Sequence, residues 1–372
     1  MNRLSILDSV MDARDHFKNG ASPKSQMSRG NMCSKKLKKV LTIVGILLIT
    51  VGIFIPTSCG NIGIKELVDR IKIIQPHLIT ESEKEEVRTA EEKITNPKTA
   101  NDYFLKGYIA QMDENYEKAS EYYQKVIELN PKFVEAFFNM GFAYTLTEKH
   151  DEAIQSFQKV IELNPMFVEA FFNMGYVYAL SKKNDEAIQS FRKVIELNPD
   201  RADAYYYMGN IYSNQDQNDE AIECYQKAIE IKPDFAEAHY NMGLTHGKKE
   251  KYDEAIQSLQ KVVELNPNHI NAYYEMGSAY GILGKFDEMI QSCQKAIELN
   301  PNNNRAYINM GLIYNNIRKY NDAIQFFQKA IELDPDFALS YRCLWYSYTM
   351  LRDYAKADEH IQKARELEEK NN

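Results

Sequence analysis

Tryptophan occurs once and cysteine five times in 372 residues. Cys33, Cys59, Cys224, Cys293 and Cys343 form no CxxC pair and share no regular spacing. Neither a disulfide framework nor a zinc site is implied. The chain has no Gly-rich phosphate loop, no HExxH and no GxSxG elbow, which removes the usual nucleotide, metalloprotease and hydrolase readings. Long apolar runs are missing except for Val40–Ile55. Basic excess is missing too: the formal net charge is −8, and nine Lys/Arg against three Asp/Glu in residues 1–39 leave the remainder at −14. A surface of that sign does not neutralise phosphates, so nucleic acid is not expected as a partner. Glycine and proline are scarce, at 16 and 11. What matters is where they stand.

Seven of the prolines recur every 34 residues without insertion or deletion: Pro131, Pro165, Pro199, Pro233, Pro267, Pro301 and Pro335. A glycine stands 24 residues upstream of each, from Gly107 and Gly141 to Gly311, with an aromatic residue or His four residues before it. Twelve residues after the glycine comes a small or apolar residue such as Ala119, Ala153 or Ala187. Self-similarity at this period signals a solenoid. In the second unit, Phe137, Met140, Gly141 and Tyr144 mark one helix face, and Ala153, Phe157 and Val160 mark a second. Glu148–Asp151 make the polar turn, with Asp151 expected as N-cap, and Asn164-Pro165 stops the second helix. A glycine kept inside a helix against a cost of about 1 kcal/mol suggests close helix approach. A lone hairpin cannot bury both faces, so neighbours must stack. Alanines at one slot of the first helix, from Ala136 to Ala306, would let them approach.

This pattern resembles the tetratricopeptide repeat (TPR) over about eight units, from Ala100 to Glu369. The usual tryptophan is an aromatic residue or His239, Met289 replaces the alanine of unit six, and Trp345 replaces the glycine of unit eight. The resemblance implies an all-α fold, a right-handed α-solenoid of about eight helical hairpins spanning residues 99–372. Its charged last helix is expected to serve as the cap.

Ahead of the repeats, residues 1–39 are a basic segment and residues 40–56 a transmembrane anchor or lipoprotein signal core. Sixteen uncharged residues reach about 24 Å, short of the roughly 30 Å hydrocarbon layer. The preceding Lys35–Lys39 stretch places the amino terminus in the cytoplasm and the repeats on the non-cytoplasmic side, as in a bacterial envelope. Pro56–Gly60 resembles a bacterial lipobox, which would make Cys59 a lipidation site, although Pro56 stands where leucine is usual and Met32 would make a tidier start. Lipoprotein and uncleaved anchor both stay open. Residues 57–98 read as a spacer with short helices, or as a degenerate first hairpin lacking the glycine and proline.

Numbering each unit so that its closing proline is slot 32 puts the first helix's core at slots 4, 7, 8 and 11. Slots 2, 6, 9 and 13 then lie opposite, with slot 5 at the edge. In the TPR family that opposite side lines a concave groove. Slot 6 carries Asn139, Asn173, Asn241 and Asn309, similar to the asparagine ladder of O-linked N-acetylglucosamine transferases. Such a row could hold a peptide backbone, because an amide both donates and accepts. Slot 5 is aromatic through unit six: Phe104, Phe138, Phe172, Tyr206, Tyr240 and Tyr274. Slot 9 adds Tyr108, Phe142 and Tyr176, then Asn210, with Leu146 and Leu180 among the residues at slot 13. An apolar amino-terminal half of the groove is expected, and exposed apolar surface marks a contact site. The Lys/Arg slots of the carboxylate clamp in heat-shock co-chaperones are not filled in register.

The resulting expectation is a membrane-tethered, non-enzymatic scaffold or assembly factor. It binds protein or peptide segments and needs no cofactor or metal. The alternatives are an accessory or targeting subunit of an enzyme complex, such as a transferase partner, and a self-associating structural protein that forms homo-oligomers. His239 and His246 share a helix in core slots and read as packed histidines.

Overall fold

The computed structural model describes residues 80–371 and Val68. Residues 40–56, Cys59 and the rest of the amino-terminal region lie outside them. Among the described residues there are seventeen helices and no strand, and no helix is long and apolar enough to cross a membrane. Helix α1 is Glu81–Glu92; the first hairpin is α2 (Ala100–Met112) with α3 (Tyr116–Leu129), and the second is α4 (Val134–Leu146) with α5 (His150–Leu163). The third hairpin is α6 (Val168–Leu180) with α7 (Asn184–Leu197), and the fourth is α8 (Ala202–Asn214) with α9 (Asn218–Ile231). Then come α10 (Ala236–Lys248) with α11 (Tyr252–Leu265) and α12 (Ile270–Ile282) with α13 (Phe286–Leu299). The series ends with α14 (Asn304–Asn316) and α15 (Tyr320–Leu333), then α16 (Ala338–Met350) and α17 (Tyr354–Asn371). Contacts divide the chain into two compact bodies that meet inside α8, one ending at Tyr207 and the other starting at Met208. Each is an all-α stack of hairpins.

Both turn types follow from local chemistry. Between hairpins, an asparagine stands before five of the seven repeat prolines and accepts from the amide two residues on. Asn130 Oδ1 accepts from the Lys132 amide at 3.2 Å, and Asn164 does the same for Met166. Within hairpins, one residue turns left-handed, with φ between 58° and 64° at Glu114, Glu148, Lys182, Asp216, Glu250, Arg318 and Arg352. Only the sixth hairpin uses glycine there, at Gly284. The turn makes Lys149, not Asp151, the N-cap of α5. Asp151 instead sits in the first helical turn, where a negative charge complements the helix dipole, and it pairs with Lys183 of the next hairpin at 3.2 Å.

Close approach inside each hairpin centres on the slot-8 glycine. A Cβ on Gly141 would lie 2.8 Å from the Phe157 ring, and one on Gly209 would lie 2.6 Å from that of Tyr225. Ala136 and Ala170 in the first body, and Ala238, Ala272 and Ala306 in the second, are fully buried at the seam with the preceding hairpin. Helix α1 shows that part of the expected spacer belongs to the stack. Val87, Ala90 and Ile94 join the core of the first hairpin, and Arg88–Asp113 (2.6 Å) and Glu91–Lys106 (2.7 Å) tie α1 to it. A capping box at Thr80, completed by Glu83, starts this helix. At the other end α17 buries Ala357, Ala364 and Leu367 and turns Lys356, Glu359, Lys363 and Glu366 outward, the polar end that a stack of repeats needs.

Candidate functional site

Successive first helices pack side by side, α4 on α6 in the first body and α10, α12, α14 and α16 in turn in the second. Within each body they form a layer, and the expected binding side chains lie on these first helices. The structure sorts those side chains into interior and surface.

The slot-5 aromatics of the first three hairpins are interior. Phe104, Phe138 and Phe172 are 0%, 9% and 1% exposed. Phe104 stacks on Phe133 at 5.1 Å and meets Tyr123 at 5.6 Å; Phe138 lies between Phe157 and Phe167 at 5.7 and 5.1 Å. Phe172 faces Phe191 at 5.5 Å and lies under the Arg201 guanidinium at 5.0 Å. The expectation that slot 5 edges an open groove is therefore corrected. At 3.6 residues per turn, slot 5 lies only about 60° around the helix from the glycine of closest approach, which turns it into the hairpin seam. Tyr206, Tyr240 and Tyr274 are half-buried, and Tyr240 packs at a tilt against His269 at 4.9 Å. Burial, then the Glu275 charge, pushes the Tyr274 hydroxyl up to about 12.

Slot 9 changes along the stack. Tyr108 is fully buried, and Phe142 is 7% exposed. Tyr108 shares the first hairpin's core with Val87 of α1 and with Val68, and burial, then Glu83, raises its hydroxyl above the usual range. These two rings are corrected from surface to core. Tyr176, one hairpin on, is half-buried, and Leu180 beyond it is 39% exposed.

The asparagine row is also largely engaged internally. Asn139 is 1% exposed, and Asn173 donates to the Glu169 carbonyl at 2.8 Å. Asn241 donates across the hairpin seam to Asn210 Oδ1 at 2.8 Å, and that oxygen also accepts from the Tyr225 hydroxyl at 2.8 Å. Asn309, 9% exposed, reaches Ser278 at 3.4 Å, and farther along Ser347 donates to Asn315 at 2.8 Å. At Asn241 and Asn309 slot 6 meets slot 9 of the preceding first helix, so these two amides tie neighbours together. A free ladder of amides was the expectation; a buried amide must find a partner, which Asn241 and Asn309 find one hairpin back and Asn173 in its own helix.

Left on the surface of the layer in the first body are Tyr176 and Leu180, with half-buried Leu146, Asn173 and the slot-2 acids Glu135 and Glu169 beside them. The second body presents a more polar set, including exposed Glu237 and Arg305 and half-buried Lys248, Leu312 and Asn316. Among the described residues no group of His, Cys, Asp or Glu could hold a metal ion. Cys293 and Cys343 are buried and Cys224 half-buried, all as free thiols, and burial pushes the Cys293 thiol up to about 12.

A TPR-repeat family model matches residues 113–148, 178–216 and 209–249. A tetratricopeptide-repeat model matches 134–167, 236–269 and 305–337, and a second matches 270–303. The chain is a tetratricopeptide-repeat protein. No curated protein matches it. Among solved structures, MamA is 31% identical over 43% of this TPR chain and 94% of its own, with a TM-score of 0.42. YrrB, described as a TPR protein with an unusual peptide-binding site, is 24% identical over 50% of this chain and 96% of its own, TM-score 0.44. The carboxy-terminal part of a TPR protein from Cytophaga hutchinsonii is 19% identical over 65% and 99%, TM-score 0.59. Only the last exceeds 0.5, and at that identity it speaks for the fold alone.

One group of this TPR protein was not anticipated from its sequence. Arg201 takes the slot that holds Phe133 and Phe167 in earlier hairpins. It is paired with buried Asp203 at 2.9 Å and with Glu169 at 3.4 Å. The break in the aromatic column at slot 34 was the available signal.

Proposed function

We propose that this TPR protein is a non-catalytic scaffold that holds a protein segment against the first helices of its second and third hairpins. The observation that carries this reading is the partly exposed strip of Tyr176 and Leu180, bordered by Glu135 and Glu169. Its chemistry suits a segment with an apolar side chain flanked by Lys or Arg. Burying one large apolar side chain there would contribute roughly 1.5–3 kcal/mol. A photo-reactive residue at Leu180 is expected to crosslink a discrete partner in cells, whereas one at Lys159 on the outer helix α5 is not. Equal labelling from both positions would overturn the site. Loss of the Leu180 adduct on Tyr176→Glu would support it.

The same proposal includes a membrane tether through residues 40–56, with the repeats on the non-cytoplasmic side. It is supported by the apolar run and the four lysines before it. Fatty-acid labelling that is present in the wild type and lost in Cys59→Ala is the expected result for a lipoprotein. No labelling in either, with the chain still in the membrane fraction, would assign an uncleaved anchor. A chain found only in the soluble fraction would remove the tether.

A further inference from the structure

Three of the five histidines among the described residues belong to one hairpin, α10/α11, and its exit turn. They occupy the three slots that carry Phe or Tyr in hairpins two and three. His239 stands where Phe137 and Phe171 do, His246 where Tyr144 and Tyr178 do, and His269 where Phe133 and Phe167 do. The ring nitrogens that the packing defines are either already engaged or buried without a partner. His239 is 7% exposed; its Nε2 donates to the Pro233 carbonyl at 3.0 Å, which leaves Nδ1 bare and buried with no hydrogen-bond partner. His246 Nδ1 is likewise buried without a partner. His269 Nδ1 accepts the Ala272 amide at 3.1 Å as the N-cap of α12, while its ring packs at a tilt against Tyr240. A proton on that nitrogen would set two donors against each other and abolish the cap.

We propose that the α10/α11 hairpin is an acid-labile hinge in the stack: protonation of His246 and His269 loosens it while the hairpins carboxy-terminal to α12 stay folded. The charges around the rings do not compensate. Facing His246 are Glu254 on α11, which favours the charged ring, and Lys249 and Lys251 in the turn, which oppose it. Facing His269 is Glu237 on α10, and near its partner Tyr240 are Glu275 and Tyr274 on α12. Burial outweighs these carboxylates and holds both imidazoles below their ordinary range. The folded chain thus binds fewer protons than the unfolded one. The stability involved is present above about pH 6.5 and is lost as the pH falls through the folded-state values. His360, stacked on Tyr348 at 5.4 Å, gives the last hairpin a single similar ring, so α14/α15, which has no histidine, is the internal reference.

Hydrogen exchange on the full chain at pH 7.5 and 5.0 tests the hinge, with rates corrected for intrinsic pH dependence. Amide protection in 236–265 is expected to fall about ten-fold at pH 5.0, with 304–333 unchanged. His239→Tyr with His246→Tyr and His269→Phe installs the residues of the other hairpins and should abolish the loss. His269→Asn, which keeps an uncharged cap as Asn303 does, should reduce it even if the triple variant misfolds. Equal loss in both segments, or an undiminished loss in His269→Asn and a folded triple variant, would overturn the proposal.

Discussion

Phe142→Glu is expected to unfold the second hairpin, and Leu180→Glu to leave its own hairpin folded, although both residues belong to the same apolar side of the first helices. Phe142 is 7% exposed in the packed layer, whereas Leu180 is 39% exposed. Replacing the ring removes a core side chain and puts a carboxyl where its charge cannot be hydrated, together a loss of about 4 kcal/mol. The same change at Leu180 falls on the surface and should stay within about 0.5 kcal/mol. Denaturant melting followed by exchange in 134–163 and 168–197 reads the difference. With the photo-reactive residue moved to Leu146, partner crosslinking should be lost in both variants, through unfolding in one and through surface charge in the other. If Phe142→Glu melts like the wild type, that ring is surface, and the assignment of the layer is wrong.

Gly311→Ala is expected to destabilise the seventh hairpin by about 2–3 kcal/mol, whereas Gly277→Ala should be close to neutral. Both glycines sit mid-helix, where alanine is intrinsically better by about 1 kcal/mol, so any loss must come from packing. A Cβ at Gly311 would overlap the Phe327 ring more severely than at any other slot-8 glycine. Phe327 is fully buried and cannot swing away. At Gly277 the nearest atom is Cys293 Sγ at 3.1 Å, and the next lie at 3.7 and 3.8 Å, so a slight shift makes room. Overpacking of the first kind costs roughly 1–3 kcal/mol, and more when no rotamer relieves it. Gly311→Ala with Phe327→Leu should recover about 1 kcal/mol against the sum of the single changes. Strict additivity would mean that the ring is not what excludes the methyl group.

These contrasts mark how far the repeat could be read in advance. Pro131, Gly141, Ala153 and their copies gave the hairpins, because each answers a local backbone or contact requirement that recurs every 34 residues. Missing from that reading was depth. Phe104 and Leu180 look alike as apolar residues beside the core slots, but one is fully buried and the other 39% exposed. A helical wheel places slot 5 at an edge; which side of the edge is covered depends on Tyr123 arriving from α3 and Phe133 from the turn before α4. The asparagine row failed for the same reason. Asn241 looked free until Asn210 of the preceding first helix proved to be its acceptor at 2.8 Å.

By itself, then, the sequence determined the all-α repeat architecture, its period, its hairpin turns and the absence of a recognisable catalytic motif. All of these depend on residues near one another in the chain or on strict periodicity. Only the tertiary structure decided which aromatics are core, that α1 closes the first hairpin, that asparagines tie neighbouring helices, and which ring nitrogens of the fifth hairpin's histidines are buried or already engaged. Burial and hydrogen-bond partnership also depend on residues 30 or more positions apart. Those are pairings that periodicity makes possible but does not choose.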